Sequence, residues 1–175
     1  MKRIALFIAL FGVVLLAQAQ SDKKSEKIIK DAEEAKAAFL KDDPSLENLF
    51  SSSYGYIILP NVGKGGLGVG GASGNGVAFE KGKRIGFARM TQVTIGFQAG
   101  GQSYSELVFF ETSEAFERFK SNKVEMSAQV SAVAAAAGAS ADAKYVDGVM
   151  VFTRTKGGLM YEASVGGQQF KFTEN

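Results

Sequence analysis

The chain has 175 residues, with 20 Lys and Arg against 18 Asp and Glu and neither His nor Cys. Lys2 and Arg3, the apolar run from Ile4 to Ala17 and the small-x-small triplet Ala17-Gln18-Ala19 read as a secretory signal peptide over 1–19, cleaved before Gln20. Without it 18 basic residues face 18 acidic ones, which excludes a generally basic surface and with it nucleic-acid binding.

About 156 mature residues suffice for one well-cored domain and fall short of two of ordinary size. The expected organisation is a signal peptide over 1–19, a helical segment over 20–52 and a glycine-rich β core over 53–175. No apolar run beyond Gln20 is long enough to span a bilayer, so a soluble or peripheral exported protein is expected, periplasmic or secreted. Without Cys there is no disulfide and no lipobox acyl anchor. Without His and Cys there are no common zinc ligands, no histidine base and no thiol chemistry.

From Ser21 to Lys41 no Gly or Pro interrupts the chain, and Ile28, Ala32, Ala35, Phe39 and Leu40 recur at helical spacing. This predicts an amphipathic helix. Asp43-Pro44 reads as the N-cap and first residue of a second helix through Leu46, Leu49 and Phe50. Tyr54 to Pro60 is a β-rich run ended by proline, and residues 63–76 then hold eight glycines in 14 positions. Val77–Phe79 predicts a strand, Lys81-Gly-Lys83 a turn, and Arg84–Met90 the next strand. Val93, Ile95, Phe97 and Ala99 alternate with polar or glycine positions as a half-buried strand does, and Glu106–Phe110 is another. Ser113 caps a helix over Glu114–Lys120 with Ala115, Phe116 and Phe119 on its apolar side. Alternation from Val124 to Ala132 predicts a strand, and Ala134–Ala143 reads equally as loop or helix. Strands over Val149–Thr153, Leu159–Val165 and Gln169–Phe172 follow, with hairpin turns at Gly157-Gly158 and Gly166-Gly167. The fold class is α+β: N-terminal helices, then a glycine-rich, mainly antiparallel sheet, sandwich or barrel, with one further short helix.

The segment 63–71 matches G-x-G-x-x-G twice, but no helix follows to face a pyrophosphate and no acid stands about 20 positions on. A P-loop fails for want of Gly-Lys-Ser/Thr. The glycines instead point to close strand crossings or bulges. Lys64 among Gly65 and Gly66, with Arg89, Arg154 and Lys156, are the candidate anion contacts, because exposed N–H groups of a glycine turn beside a cation suit a phosphate. The lysines of the first helix are interleaved with Asp22, Glu26, Asp31, Glu33 and Glu34, which favours a helix packed on its own domain. No nucleophile elbow or carboxylate pair stands out.

Several blocks carry a family resemblance: Tyr56-Ile-Ile-Leu-Pro60 running into Val62-Gly-Lys-Gly-Gly-Leu-Gly-Val-Gly-Gly71, Gly76-Val-Ala, Gln92 to Gln102, Glu106-Leu-Val-Phe-Phe110, Val124 to Val130, and Phe152-Thr-Arg-Thr-Lys-Gly-Gly158. In these the chain resembles the SYLF-domain, or Ysc84, family of lipid-binding proteins. The resemblance implies a phospholipid-binding module without catalytic activity or cofactor. The expected function is therefore non-enzymatic binding of phospholipid or a membrane surface in the envelope, with Lys64, Gly65, Gly66, Arg89, Arg154 and Lys156 at the headgroups. The alternative is a scaffold for an envelope protein partner.

Overall fold

The computed structural model describes residues 2–96, 102–121, 125–126, 133–134, 140, 143–155, 158–162 and 168–174. Helix α1 runs from Lys2 to Asp42, so the helix expected from Ser21 continues unbroken from the apolar segment before it. Its spacing sets Ala32, Ala35 and Phe39 on one side, and all three are buried. Helix α2 spans Leu46–Ser52, two residues later than Asp43-Pro44 implied. Asp43 closes a turn instead of capping the helix: its carboxylate accepts from the Ser45 N–H at 3.0 Å and the Ser45 hydroxyl at 2.5 Å, the local bonding that makes Asp a turn former.

The strands are β1 (Gly55–Glu80), β2 (Lys83–Gly96), β3 (Gln102–Phe110), β4 (Glu125–Met126), β5 (Val133–Ala134), β6 (Val149–Thr155), β7 (Gly158–Glu162) and β8 (Gln168–Glu174), with helix α3 (Ser113–Lys120) between β3 and β4. They form one antiparallel sheet in the order β4-β8-β2-β1-β3-β6-β7-β5. The runs expected separately at 84–90 and from Val93 join in β2. The tight β1–β2 turn at Lys81 and Gly82 takes positive φ at both positions, 49° and 76°, as a two-residue hairpin with matching twist requires.

At about 3.3 Å per residue an extended β1 would measure about 86 Å. Yet the Lys81 N–H donates to the Tyr54 carbonyl at 2.9 Å, and the Tyr56 and Phe79 rings stack 4.8 Å apart. β1 is therefore folded back on itself. Its first arm pairs with β3 between Gly55 and Lys64, and its second pairs with β2 between Gly68 and Glu80. The glycines permit this approach: a Cβ on Gly76 would stand 2.2 Å from the Ile58 carbonyl oxygen, and one on Gly74 2.8 Å from a Val62 methyl. The close strand packing expected of the glycines of 63–71 is not met at Gly63 and Gly65, where a Cβ would meet nothing within 4 Å, and falls instead just beyond that segment at Gly74 and Gly76.

The sheet is curled. Counting both arms of β1, β8 and β7 lie six strand spacings apart, about 29 Å if flat, whereas the six steps from Glu162 to Gln168 reach only about 22 Å. Across the curl, the Gln168 side-chain N–H donates to Glu106 on β3 at 3.0 Å. β4 pairs with β8 at one edge and β5 with β7 at the other, only residues 127–132 apart. The sandwich or barrel expectation is thus met by a single curled sheet that stays open: among the described residues no ladder joins β4 to β5, or β7 to β8. A hairpin between β7 and β8 is accordingly not formed there, and Gly166-Gly167 lies outside the described residues. So do Val124, 127–132 and most of Ala134–Ala143. Thr155 pairs with Gly158, which moves that turn one residue earlier than Gly157-Gly158.

Inside the curl lie Ile57, Leu59, Met90, Val108, Phe110, Val151 and Phe170, stoppered by Phe116 and Phe119 of α3. The cap of α3 is Thr112, not Ser113, since the Thr112 hydroxyl accepts from the Ala115 N–H at 3.2 Å. On the outer side Ala32, Phe39, Leu46 and Phe50 cover Tyr56, Ile58, Leu107, Phe109 and Phe152. Alternate residues of β1, β3 and β6 serve the two cores, so these strands are buried on both faces, and the strand-rich hydrophobic runs of the sequence reflect that.

Candidate functional site

The residues singled out from the sequence do not converge. Lys64, Gly65 and Gly66 lie near the bend of β1, where Lys64 pairs with Gln102 and a Cβ on Gly63 or Gly65 would meet nothing within 4 Å. Arg89 is on β2 and Arg154 on β6, four strand spacings away, about 19 Å along the sheet. Arg154 is engaged within the fold: its Nε donates to Asp42 at 2.7 Å and ties the end of α1 to the sheet. Lys156 lies outside the described residues.

Three cations of α1 also have partners within the fold. Lys27 pairs with Asp31 at 2.6 Å and Lys30 with Glu34 at 3.7 Å, one turn apart. Lys36 sits 4.2 Å over the Phe50 ring, a cation–π contact that joins α1 to α2. With its apolar side against the sheet, α1 is a packed helix, as its interleaved charges imply.

What remains open is the outer side of β2 and β8, beyond the edge of the helical layer. Ala88, Met90 and Phe170 point into the curl, so period-two alternation turns Arg89, Thr91, Val93, Gln169, Lys171 and Thr173 outward, and all six are exposed. Arg89 stands directly opposite Lys171 on one side and Asn75 on the other. Arg84 extends the strip towards the β1–β2 turn. Among the described residues none of Lys64, Arg84, Arg89 and Lys171 is in an ion pair. Two like charges about 5 Å apart repel by about 0.8 kcal/mol in water before screening, and cross-strand pairs of this kind are unfavourable unless an anion lies between them.

The signal for this strip is in the sequence, though not in any one motif. Between Glu47 and Glu106 the sole carboxylate is Glu80, against Lys64, Lys81, Lys83, Arg84 and Arg89. Glu80 is itself occupied: the Tyr54 hydroxyl donates to it at 2.9 Å and Lys120 stands 3.8 Å away. The hydrogen bond to Glu80 holds the Tyr54 phenol above its usual range, and the Glu117 carboxylate does the same for the Lys120 ammonium. The near-neutral total of the sequence therefore conceals a charge segregation, with an acid-poor pair of hairpins set against an acid-rich helical start.

Other features offer less. A shallow cleft of about 330 Å³ between the end of α2 and the β1–β2 turn is lined by Ser51, Ser52, Ser53, Tyr54, Lys81 and Glu111, and it opens widely to solvent. Among the described residues no three of His, Cys, Asp and Glu gather as metal ligands would, and no helix is long and apolar enough to cross a membrane.

Residues 91–175 match the family model Ysc84, described as "Las17-binding protein actin regulator". The match takes in the blocks from Gln92 onward, with Arg154, Lys156 and Lys171, and leaves Tyr56–Gly71 and Arg89 outside it. Beta cell expansion factor A of Aeromonas veronii is 27% identical over 141 residues, which is 79% of this chain and 53% of that protein. The chain thus spans about half the length of this relative.

Proposed function

We propose that this chain, whose residues 91–175 place it in the Ysc84 (SYLF-domain) family, is an exported, non-enzymatic protein that binds anionic phospholipid at a membrane surface. The observation that carries the reading is the uncovered strip in which Arg89 opposes Lys171 in register, while Glu125 of β4 stands opposite Gln169 and not opposite either cation. A lipid phosphate lying over this pair replaces their repulsion with two attractions and accepts hydrogen bonds from the guanidinium and the ammonium. Near an anionic surface each Lys or Arg contributes about 1 kcal/mol, so Arg84, Arg89 and Lys171 together supply about 3 kcal/mol, a hundredfold in partitioning. With a mature chain of zero formal charge the attraction is local and fades within about 8 Å at physiological salt.

Cosedimentation with vesicles tests this. Binding to phosphatidylglycerol vesicles, weaker at high salt and absent from phosphatidylcholine vesicles, is the expected result, and Arg89→Gln with Lys171→Gln should reduce it about tenfold or more. Binding that ignores both lipid charge and these two residues would sink the assignment.

A second reading, a scaffold that holds an envelope protein, is favoured by the protein-binding wording of the family description. It predicts failure to bind any vesicle together with stable capture of a partner from envelope extract. The signal peptide over 1–19 belongs to the same proposal, and the N-terminus of the protein recovered from the envelope tests it: a mature chain beginning at Gln20 is expected.

A further inference from the structure

We propose that the molecule docks end-on, with the glycine-rich bend of β1 and the adjoining end of β2 entering the interfacial layer of a lipid bilayer. This rests on the phospholipid-binding reading above and specifies how the site is used. Three features point to it.

The first is Val93, which stands 72% exposed, more than any other large apolar side chain among the described residues. It lies on the same outward row as Arg89, four residues nearer the bend and about 13 Å along the strand. A lone exposed valine carries no message by itself, but its surroundings do.

The second is composition. From Val62 to Gly71 the only residues besides glycine are Val62, Lys64, Leu67 and Val69. No carboxylate, amide or hydroxyl side chain is present in this stretch, and the adjoining end of β2 beyond Val93 adds only the Thr94 hydroxyl to Ile95 and Gly96, so the bend itself has one cation to be desolvated. Gly71 pairs with Val93 and Val69 with Ile95. From Gly68 to Gly71 the backbone is engaged in the ladder with β2, and Gly63 and Lys64 are engaged with β3, which favours these stretches leaving water. Gly63 and Gly65 have no neighbour where a Cβ would be, so that side of the first arm is uncovered there.

The third is the order of the groups. From the bend at Gly68 backward, the outward row passes from apolar Val93 through Thr91 to the Arg89–Lys171 pair. Interfacial segments sink about 5–10 Å below the headgroups. With β2 lying obliquely, about 45° to the bilayer normal, the roughly 10 Å from Gly96 back to Val93 and the roughly 13 Å on to Arg89 become about 7 and 9 Å of depth. Val93 then sits just below the headgroups when the bend is about 10 Å deep, and the long side chains of Arg89 and Lys171 reach down towards the phosphates. The other amphipathic candidate, α1, is ruled out for this role because Ala32, Ala35 and Phe39 are buried against the sheet.

The chain has no tryptophan, so a single introduced indole reports its own surroundings. Val93→Trp and, as the comparison, Thr173→Trp on the exposed far end of the same face are prepared from cells expressing the full chain. Vesicles of phosphatidylglycerol and phosphatidylcholine in equal parts are added. Expected are a blue-shifted emission and quenching by brominated lipid for Val93→Trp alone, with Thr173→Trp quenched from the aqueous side. In parallel, Val93→Asp should weaken cosedimentation about tenfold without moving the melting temperature. If both tryptophans stay accessible to aqueous quencher while the protein still sediments with vesicles, or if Val93→Asp binds like the parent, end-on docking is overturned and phospholipid binding survives. If neither variant nor the parent sediments with vesicles, both fall.

Discussion

Replacing Gly76 by alanine adds a methyl carbon 2.2 Å from the Ile58 carbonyl oxygen, 2.9 Å from its carbon and 3.1 Å from the Leu59 Cα. All three are backbone atoms in the facing arm of β1, so no side-chain rotation can relieve the contact. Forcing a methyl into a filled site typically costs about 1–3 kcal/mol, and a backbone obstacle puts Gly76→Ala at the upper end, about 3 kcal/mol. At a urea m-value of about 2 kcal/mol/M that moves the unfolding midpoint down by about 1.5 M, or the melting temperature by roughly 6–12 °C for a chain of this size. The comparison variant is Gly63→Ala, where a Cβ meets nothing within 4 Å. It should be neutral or stabilising by up to about 1 kcal/mol, because alanine in a strand loses less entropy on folding than glycine. Urea denaturation followed by far-UV circular dichroism measures both. Equal midpoints for the two variants would refute the folded-back β1, since in a straight strand Gly76 would have no reason to be more demanding than Gly63.

Other consequences can be checked with the same assay. Phe39→Ala removes a fully buried ring that seats α1 on the sheet and should cost about 3–5 kcal/mol. The Asp42–Arg154 pair is about one-third exposed, so a double-mutant cycle should return a coupling of no more than about 1 kcal/mol. Arg154→Ala should leave vesicle binding unaltered, which separates its structural role from the one expected of it in the sequence. For Asp43, burial pushes the carboxyl upward, but hydrogen bonds from the side chains and amides of Ser45 and Ser140 outweigh it and hold it below the usual aspartate range. Its folded pKa is thus lower than its unfolded one, so the stability it supplies is complete above about pH 4 and is lost as pH falls through the folded value. Asp43→Asn should be less stable than the parent at neutral pH and show a smaller further loss on acidification, as read from urea midpoints across the acid range.

Local physics made much of the architecture readable in advance. Ala32, Ala35 and Phe39 repeat at helical spacing, and they are the residues α1 buries. Ala115, Phe116 and Phe119 likewise form the stopper of α3. The turn at Lys81-Gly82 was marked by its glycine, which takes one of the two positive φ values such a hairpin requires. The starts of α2 and α3 were read within a residue or two because several polar side chains there compete for the same N–H groups: Asp43 takes up Ser45, and Thr112 caps in place of its neighbour Ser113. Among the candidate contacts, Arg89 lies on the open strip, Arg154 was expected at a ligand and pairs with Asp42, and Lys171 was not singled out because nothing nearby in sequence marks it.

The amino-acid sequence by itself determined most of the helix and strand segments among the described residues, the lack of Cys and His in the chain, and the family resemblance, since each depends on residue type and short-range spacing. The tertiary structure alone decided that β1 doubles back, that the sheet curls until Gln168 meets Glu106, and that Arg89 and Lys171, 82 residues apart, share an open face. These are long-range contacts. A glycine run permits a straight strand, a bend or a bulge at nearly equal local cost, and a lysine is the same residue whether it faces solvent, a carboxylate or another cation. Only the strands and helices packed around it select among them.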